Sequence, residues 1–420
     1  MTPQLRPGAY RLLLRLFAEK RLQSPYGIVV PGHHNQNRIT QLGQPLGLLL
    51  GVGFGGVLVK FRTPVDAIEV VPRIWRGKPE VLTAAALTVR DVPCRLLHFD
   101  NLTVDAYVRG RVLSKVVGAD GPNRTYGSDR LDQMAGFFAS LADVPRDALP
   151  ELPADWAEDR DTWGFLEWQA RFTDREVYRP NVPRFGSLFD EVGIPEDAME
   201  RFMDTVSGLA RRPFSLLHTD VHPGNIVVSP RKSGDRLVVI DWESAMYGDP
   251  LHDLATHVVR MGYGVTERRS MIETWARTMS GTGHPEAIEG MEKDLPVYLA
   301  FEQAQSVFAD VMRAALALPD EAVEEDFATA VNKVRCAVRR ARKALRLAGP
   351  PLTTAAAETA LRTWHAAQDR TEPVCGHEKG ARGWDDSWKK RDRGGRPGGG
   401  ALSGAAGAIS LLTWAAAMPW

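Results

Sequence analysis

Cysteine is scarce in this chain of 420 residues: Cys94, Cys336 and Cys375 are the only three, far apart and odd in number. They give neither a zinc spacing nor a disulfide framework, so a reducing, cytoplasmic compartment is expected. Net charge is absent too, with Lys plus Arg and Asp plus Glu balanced at 52 each. That balance gives no ground for a nucleic-acid partner. A secretion signal is not expected either. The opening MTPQLRPGAYRLLLRLF sets an arginine inside its apolar stretch, lacks a small-residue cleavage site, and reads as a short amphipathic helix. Strong hydrophobes are few in the apolar end, ALSGAAGAISLLTWAAAMPW. Its length would suit a bilayer-spanning helix, which takes about 20 apolar residues. Its Ala and Gly content instead favours a loose or locally packed tail, so a membrane partner is not expected.

What is present is an ordinary globular composition, 44% apolar and 25% charged, in a chain that suits two lobes plus some excess. YGIVV, NRITQL, GVLVKF and AIEVVPRIW are β-branched runs punctuated by Gly and Pro. A helical stretch near Pro79–Val89 follows, then strand-like CRLLHF and TVDAYV. From about residue 125 the period becomes helical, with an apolar face of Leu131, Met134, Phe137, Phe138 and Leu141. Pro195 opens a second such face running through Met199, Phe202, Met203, Val206 and Leu209. Later helices are expected over Met271–Met279, Val297–Leu316 and Phe327–Leu347, interrupted only by the β segment FSLLH, NIVV and RLVVID. The expected organisation is an N-terminal helix over 1–24, a strand-rich lobe over 25–108 and a mostly helical lobe over 109–350. The Gly-rich, charged stretch 366–420 lacks periodicity and reads as a disordered tail. The fold class is α+β.

The β interruption carries the chemistry. His218, Asp220 and Asn225 stand in the pattern H-x-D-x-x-x-x-N, and Asp241 ends the apolar strand RLVVID. Transfer of a phosphoryl group to a hydroxyl needs a carboxylate to orient the hydroxyl and accept its proton. It also needs oxygen ligands to hold Mg²⁺ against the phosphates. A loop closed by Pro223 and Gly224 can aim Asp220 at an acceptor while Asn225 turns to a metal, and a hairpin from Ile226 to Ile240 returns Asp241 beside them. Mg²⁺ favours such hard oxygen ligands. Taken singly, these residues are ordinary turn and strand-end residues. Together they are not.

In HTDVHPGN, IDWE and GDPLHDLA the chain resembles the aminoglycoside phosphotransferase and choline kinase family, relatives of the protein kinases. The resemblance implies a two-lobed protein-kinase-like fold and transfer of the γ-phosphate of ATP or GTP, with Mg²⁺, to a hydroxyl of a small molecule. Carried over by position, Asp220 would be the base, and Asn225 and Asp241 the metal ligands. His218 would buttress the loop and Asp253 would hold it by hydrogen bonds. In the small lobe, VVPGHHNQNRITQL stands where a loop covers the phosphates, but its single Gly32 leaves the cradling to backbone amides and Asn35 or Asn37. Two cations compete for the phosphate role. Lys60 resembles the family's strand lysine, whereas Arg73 precedes Glu80 at a spacing that suits pairing with a helix carboxylate, and Arg73 with Glu80 is the preferred choice. Backbone groups of Ala106 and Val108 would meet the nucleobase. Glu243, Asp294, Glu302 and Asp310 are candidate carboxylates for amino groups of an acceptor, against a plainer role as helix charges.

Two other functions compete. His218, Asp220 and His222 alternate in HTDVH and could form the core of a metal-dependent hydrolase, a reading that leaves Asn225 and Asp241 unexplained. A non-catalytic pseudokinase acting as a binding module is the second, suggested by the poor phosphate loop and by Arg73.

Overall fold

The computed structural model describes residues 7–23, 26–31, 35–50, 57–65, 68–75, 79–99, 101–117 and 126–368. Gly32 and the tail from 369 onward, with its apolar end, lie outside them.

The small lobe begins with α1 (Pro7–Leu22) and continues through β1 (Ile28–Pro31), β2 (Asn35–Gln41), α2 (Gln44–Leu49), β3 (Leu58–Pro64), α3 (Glu80–Ala85), β4 (Arg95–Phe99) and β5 (Leu102–Ala106). The strands form one antiparallel sheet in the order β1-β2-β3-β5-β4. Alternation along β3 decides what faces where. Val59 and Phe61 enter a core with Leu97, Phe99, Leu102 and Val104, closed by Leu14 and Ala18 of α1. Lys60 and Arg62 take the other face, towards the helical lobe.

AIEVVPRIW reads as a strand but is not one. Its described residues are irregular, Pro72 and Trp75 are buried, and the Trp75 indole donates to the Glu151 carbonyl at 3.1 Å. A proline cannot donate to a sheet ladder, and Trp75 with α3 joins the large core of the helical lobe instead.

The lobes are joined by Tyr107–Gly110, then β6 (Arg111–Val112) and α4 (Leu113–Val116). Gly110, at φ +153°, comes so close to β8 that a Cβ would stand 2.3 Å from the Val228 carbonyl oxygen, so only glycine fits there. The helical lobe contains α5 (Ser128–Ala142), α6 (Thr162–Phe172), a π-helical turn over Thr173–Tyr178, α7 (Arg179–Glu191), α8 (Ala198–Met203), β7 (Ser215–Leu217), β8 (Ile226–Arg231), β9 (Gly234–Val239) and β10 (Met246–Gly248). It continues with α9 (Pro250–Met261), α10 (Val265–Gly281), α11 (Met291–Leu316), α12 (Glu324–Ala341) and α13 (Thr354–Ala367). The helix expected from Pro195 begins only at Ala198, after an Asp197 N-cap, and stops at Met203, short of the apolar pattern that runs to Leu209. The Thr205 hydroxyl donates to the Phe202 carbonyl at 2.7 Å, and Gly208 follows at φ +60°. Among the described residues no helix is long and apolar enough to cross a membrane.

One helix positions the site more than any other. Asp249 caps α9 by accepting from the Leu251 amide at 3.0 Å, Pro250 fills its first turn, and Gly262 ends it in the left-handed conformation. His252, Asp253, Leu254, Ala255 and His257 are all buried, so α9 forms the spine of the lobe between β7 and α11.

Candidate active site

Register brings the site residues together. In the β8–β9 hairpin Ile226 faces Val239, and the Ile240 amide donates to the Asn225 carbonyl at 2.8 Å. Asp241 is the next residue, so two residues sixteen apart in sequence become neighbours. Asp241 adopts the left-handed conformation at φ 71°, ψ 65°, which turns the chain out of the strand.

The loop before β8 is held from beneath by Asp253 of α9. Its carboxylate accepts the amides of His218 at 2.7 Å and Thr219 at 2.8 Å, while the Thr219 hydroxyl donates to the Ser244 carbonyl at 2.8 Å. Those contacts hold Thr219 at φ +61°, costly for a β-branched residue, and so fix where Asp220 points. His218 is buried edge-on to Trp242, with ring centroids 4.8 Å apart, and its Nδ1 accepts from the Asp220 amide at 3.3 Å.

Asp220 has both oxygens engaged while 28% of its side chain stays exposed. Asn225 Nδ2 donates to Oδ2 at 2.7 Å and to the Asp220 carbonyl at 3.1 Å. Arg260 of α9 donates to Oδ1 at 2.6 Å and, through Nε, to Glu302 of α11 at 2.7 Å. Gln305 donates to the second oxygen of Glu302. Arg260, which bridges Asp220 and Glu302, was not among the residues singled out from sequence. Its only signal was an arginine one helical face along from Asp253, seven residues on.

Across the cleft, Arg62 of β3 contacts Asp241 at 2.9 Å, Glu243, and Asp105 at 3.4 Å. Burial opposes Asp241's charge, but Arg62 and Lys60 outweigh it and keep that carboxyl well below its usual range. Lys60 stands two residues before Arg62, half-buried, with burial and Arg62 lowering its pKa. It forms no ion pair or hydrogen bond among the described residues. Arg62 was likewise missed, although VLVKFR displays it.

Arg73 and Glu80 are not brought together. Arg73 pairs with Glu69 and lies 3.7 Å from Glu243, whereas Glu80 is exposed at the start of α3. The physical reason is the departure of this segment from the sheet. The Ala106 amide donates to the Cys94 carbonyl at 2.8 Å, so β5 uses it. The Val108 amide makes no hydrogen bond among the described residues.

The four candidate acceptor carboxylates are all engaged by the protein. Asp294 is completely buried against Arg212 at 2.6 Å and accepts the Ala210 amide at 2.8 Å, so it is structural and cannot touch an acceptor. Glu302 supports Arg260, Asp310 pairs with Arg340 at 2.6 Å, and Glu243 accepts from Arg62 and, at 2.6 Å, from Asn35. The histidines of HTDVH likewise have partners in the loop. His222 Nδ1 accepts from the Gly224 amide at 3.1 Å, and among the described residues no group of three His, Cys, Asp or Glu could hold a metal.

Burial lowers the pKa of His218, His252 and His257 from 6.5 to about 4 each, and raises that of Asp253 from 3.8 to about 6. The unfolded chain therefore binds more protons at the histidines between pH 6.5 and 4. Their stabilisation is complete above that window and is lost as pH falls through it. Asp253 acts oppositely: its contribution is present at low pH and is lost as pH rises through about 6. Three shifts of one sign outweigh one of the other. The melting temperature is expected to fall between pH 7 and 4.5, and replacing His252 with an apolar residue of similar volume should shallow that fall. A flat profile would show that these rings are reached by water.

The two lobes close upon a protein-kinase-like cleft, with loop, hairpin end and strand cations on its walls. Within that class the chain belongs to the phosphotransferase enzyme family (APH), which it matches over residues 78–290. Membership makes it a small-molecule phosphotransferase and implies a nucleotide co-substrate. Among solved structures it is similar to an ethanolamine kinase from Plasmodium vivax (12% identity, TM-score 0.47, 82% of this chain and 95% of that one). It is also similar to a macrolide 2'-phosphotransferase from Brachybacterium faecium (14%, 0.45, 81% and 99%) and a choline kinase from Streptococcus pneumoniae (16%, 0.44, 78% and 98%). No curated protein matches the chain.

Proposed function

We propose that the protein transfers the γ-phosphoryl group of ATP or GTP to a hydroxyl of a small molecule, with Asp220 as the base. The observation that carries this is the joint placement of Asp220 on its Asp253-held loop with Asn225 and Asp241, set side by side by the hairpin register. Asp220 takes the acceptor's proton as its oxygen forms the new bond to phosphorus; the old phosphorus–oxygen bond breaks and the nucleoside diphosphate leaves. Arg260 keeps the base in place through Glu302.

The donor set fits Mg²⁺. Asn225 Nδ2 is committed to Asp220, which leaves the amide oxygen as its ligand, and Asp241 Oδ2 remains beside the oxygen that Arg62 holds. Two hard oxygens suit an ion that takes its other ligands from phosphates and water. Bound there, Mg²⁺ would neutralise charge on the β- and γ-phosphates.

Lys60 and Arg62 are the phosphate cations in this reading, and the Val108 amide is the backbone donor to the nucleobase. Calorimetry with ATP and GTP, with and without Mg²⁺, tests it, and failure of both nucleotides to bind at millimolar concentration would refute it. Lys60→Ala should weaken nucleotide binding by about tenfold or more, in keeping with loss of one charge-assisted contact. Arg73→Ala, whose guanidinium already has Glu69, should weaken it less. The reverse order would return the phosphate role to Arg73.

A further inference from the structure

Asp253 is not the only tether between α9 and the loop that carries Asp220. One helical turn further on, His257 lies on the same face of α9 and is completely buried. Its Nδ1 stands 3.0 Å from the carbonyl oxygen of Val221, the residue after Asp220, and its Nε2 stands 2.9 Å from the Tyr263 hydroxyl. The partners decide where the hydrogen sits. A carbonyl can only accept, so Nδ1 carries the hydrogen and donates it. A neutral ring then has an acceptor at Nε2, and the Tyr263 hydroxyl donates to it. Burial keeps the ring neutral by lowering its pKa to about 4.

Tyr263 is itself fixed in place. Gly262 ends α9 in the left-handed conformation at φ 68°, and the turn brings Tyr263 back against His257. Tyr126, just ahead of α5, packs edge-on to the Tyr263 ring with centroids 5.0 Å apart, and its hydroxyl donates to the Met261 carbonyl at 2.7 Å. Phe138 of α5 lies edge-on to the imidazole at 5.1 Å. An apolar side chain would pack on these rings as well. The imidazole adds what such a side chain lacks, a donor aimed at the loop.

We propose that His257, its tautomer set by Val221 and Tyr263, is a positioning residue for the base, fixing the chain just after Asp220 and thereby the direction of its carboxylate. Asp253 grips the loop before the base, at the His218 and Thr219 amides, and His257 grips it after the base, at the Val221 carbonyl. An acceptor and a donor on one face of one helix thus pin Asp220 from both sides. The word base rests on the phosphotransferase reading, whereas the tether does not depend on catalysis.

The first test uses the full chain with isotope-labelled histidine, read by ring-nitrogen resonances at neutral pH. The His257 signals, assigned by their loss in His257→Asn, should show a neutral ring with its hydrogen on Nδ1, the less common tautomer of imidazole in water. A hydrogen on Nε2, or one shared between the nitrogens, overturns the proposal and leaves the kinase reading untouched. Turnover is read as nucleoside diphosphate release from Mg²⁺–ATP and Mg²⁺–GTP with water as the acceptor. The oxygen of water bonds to the γ-phosphorus, its proton passes to Asp220, and the diphosphate leaves. His257→Phe should lower kcat by about tenfold to a hundredfold, the scale of a misplacement near 1 Å, with KM for the nucleotide unchanged. His257→Asn keeps an N–H at the δ position and should recover part of that loss. His257→Gln reaches the ε position and Tyr263 instead, and should not. Amide hydrogen exchange from Thr219 to His222 should quicken in His257→Phe but not in His257→Asn, while α12 exchanges as in the wild type. Wild-type kcat in His257→Phe, or equal recovery by His257→Asn and His257→Gln, would show that the Val221 contact directs nothing. Exchange quickened throughout the helical lobe, with kcat and KM both altered, would reduce His257 to a packing residue and also overturn the proposal. If the wild type turns over neither nucleotide, the kinase reading fails, and the tautomer and loop exchange still decide the tether.

Discussion

Asp220→Asn is expected to lower kcat by about 10² to 10⁴, the usual worth of a positioned general base, while nucleotide still binds. The amide keeps the size of the side chain but cannot take a proton from the acceptor. It also presents N–H to one of two donors, since Arg260 and Asn225 occupy opposite oxygens of the carboxylate. Some displacement of the loop is therefore expected, and melting temperature and nucleotide affinity must be read alongside turnover. Asp241→Asn should behave differently. It removes a proposed metal ligand and the partner of Arg62 at 2.9 Å, so Mg²⁺-dependent nucleotide affinity should fall together with turnover. Near-full turnover by Asp220→Asn would end its assignment as base. Equal loss of nucleotide binding in both variants would show that the two carboxylates form one metal site.

The order of lobes and the loop at 218–225 were legible because they rest on local chemistry. Alternating β-branched residues, a Pro-Gly turn and a carboxylate at a strand end need no partner to be recognised. The pairing of Asn225 with Asp241 could be read as well, since a hairpin with a short turn has one register. What could not be read depended on long-range choices. Arg73 looked right by spacing, but Trp75 binds the helical lobe and pulls its segment out of the sheet. Arg62 was passed over beside Lys60, on the same strand face, because sequence does not say which position of that face comes level with Asp241. Arg260 and Glu302 sit on different helices, and their contact exists only once α9 packs on α11. Asp294 resembled a helix charge near a substrate, yet its burial follows from Arg212, eighty-two residues earlier.

That arginine is where the largest loss of stability is expected. Arg212 is completely buried and donates to Asp249 at 2.6 to 3.1 Å through Nε and Nη2, and to Asp294 and the Glu289 carbonyl, both at 2.6 Å, through Nη1. The Tyr298 hydroxyl adds a hydrogen bond to Asp249 at 2.8 Å. Arg212→Met would fill much of the space but leave two carboxylates in the interior without counter-charge. Breaking a buried pair from one side costs about 3–5 kcal/mol, a large part of the stability of most domains. Denaturant unfolding at neutral pH measures it. Adding Asp294→Asn to Arg212→Met should recover part of the loss, because the double variant removes one stranded charge, so the two effects should be far from additive. The consequence reaches the catalytic loop: Asp249 caps α9, and α9 carries both Asp253 and Arg260. Amide hydrogen exchange at His218 and Thr219 should therefore quicken in Arg212→Met under conditions where the fold persists. A loss below about 1 kcal/mol, the scale of a surface pair, would mean that water reaches this network and that the cap of α9 holds without it.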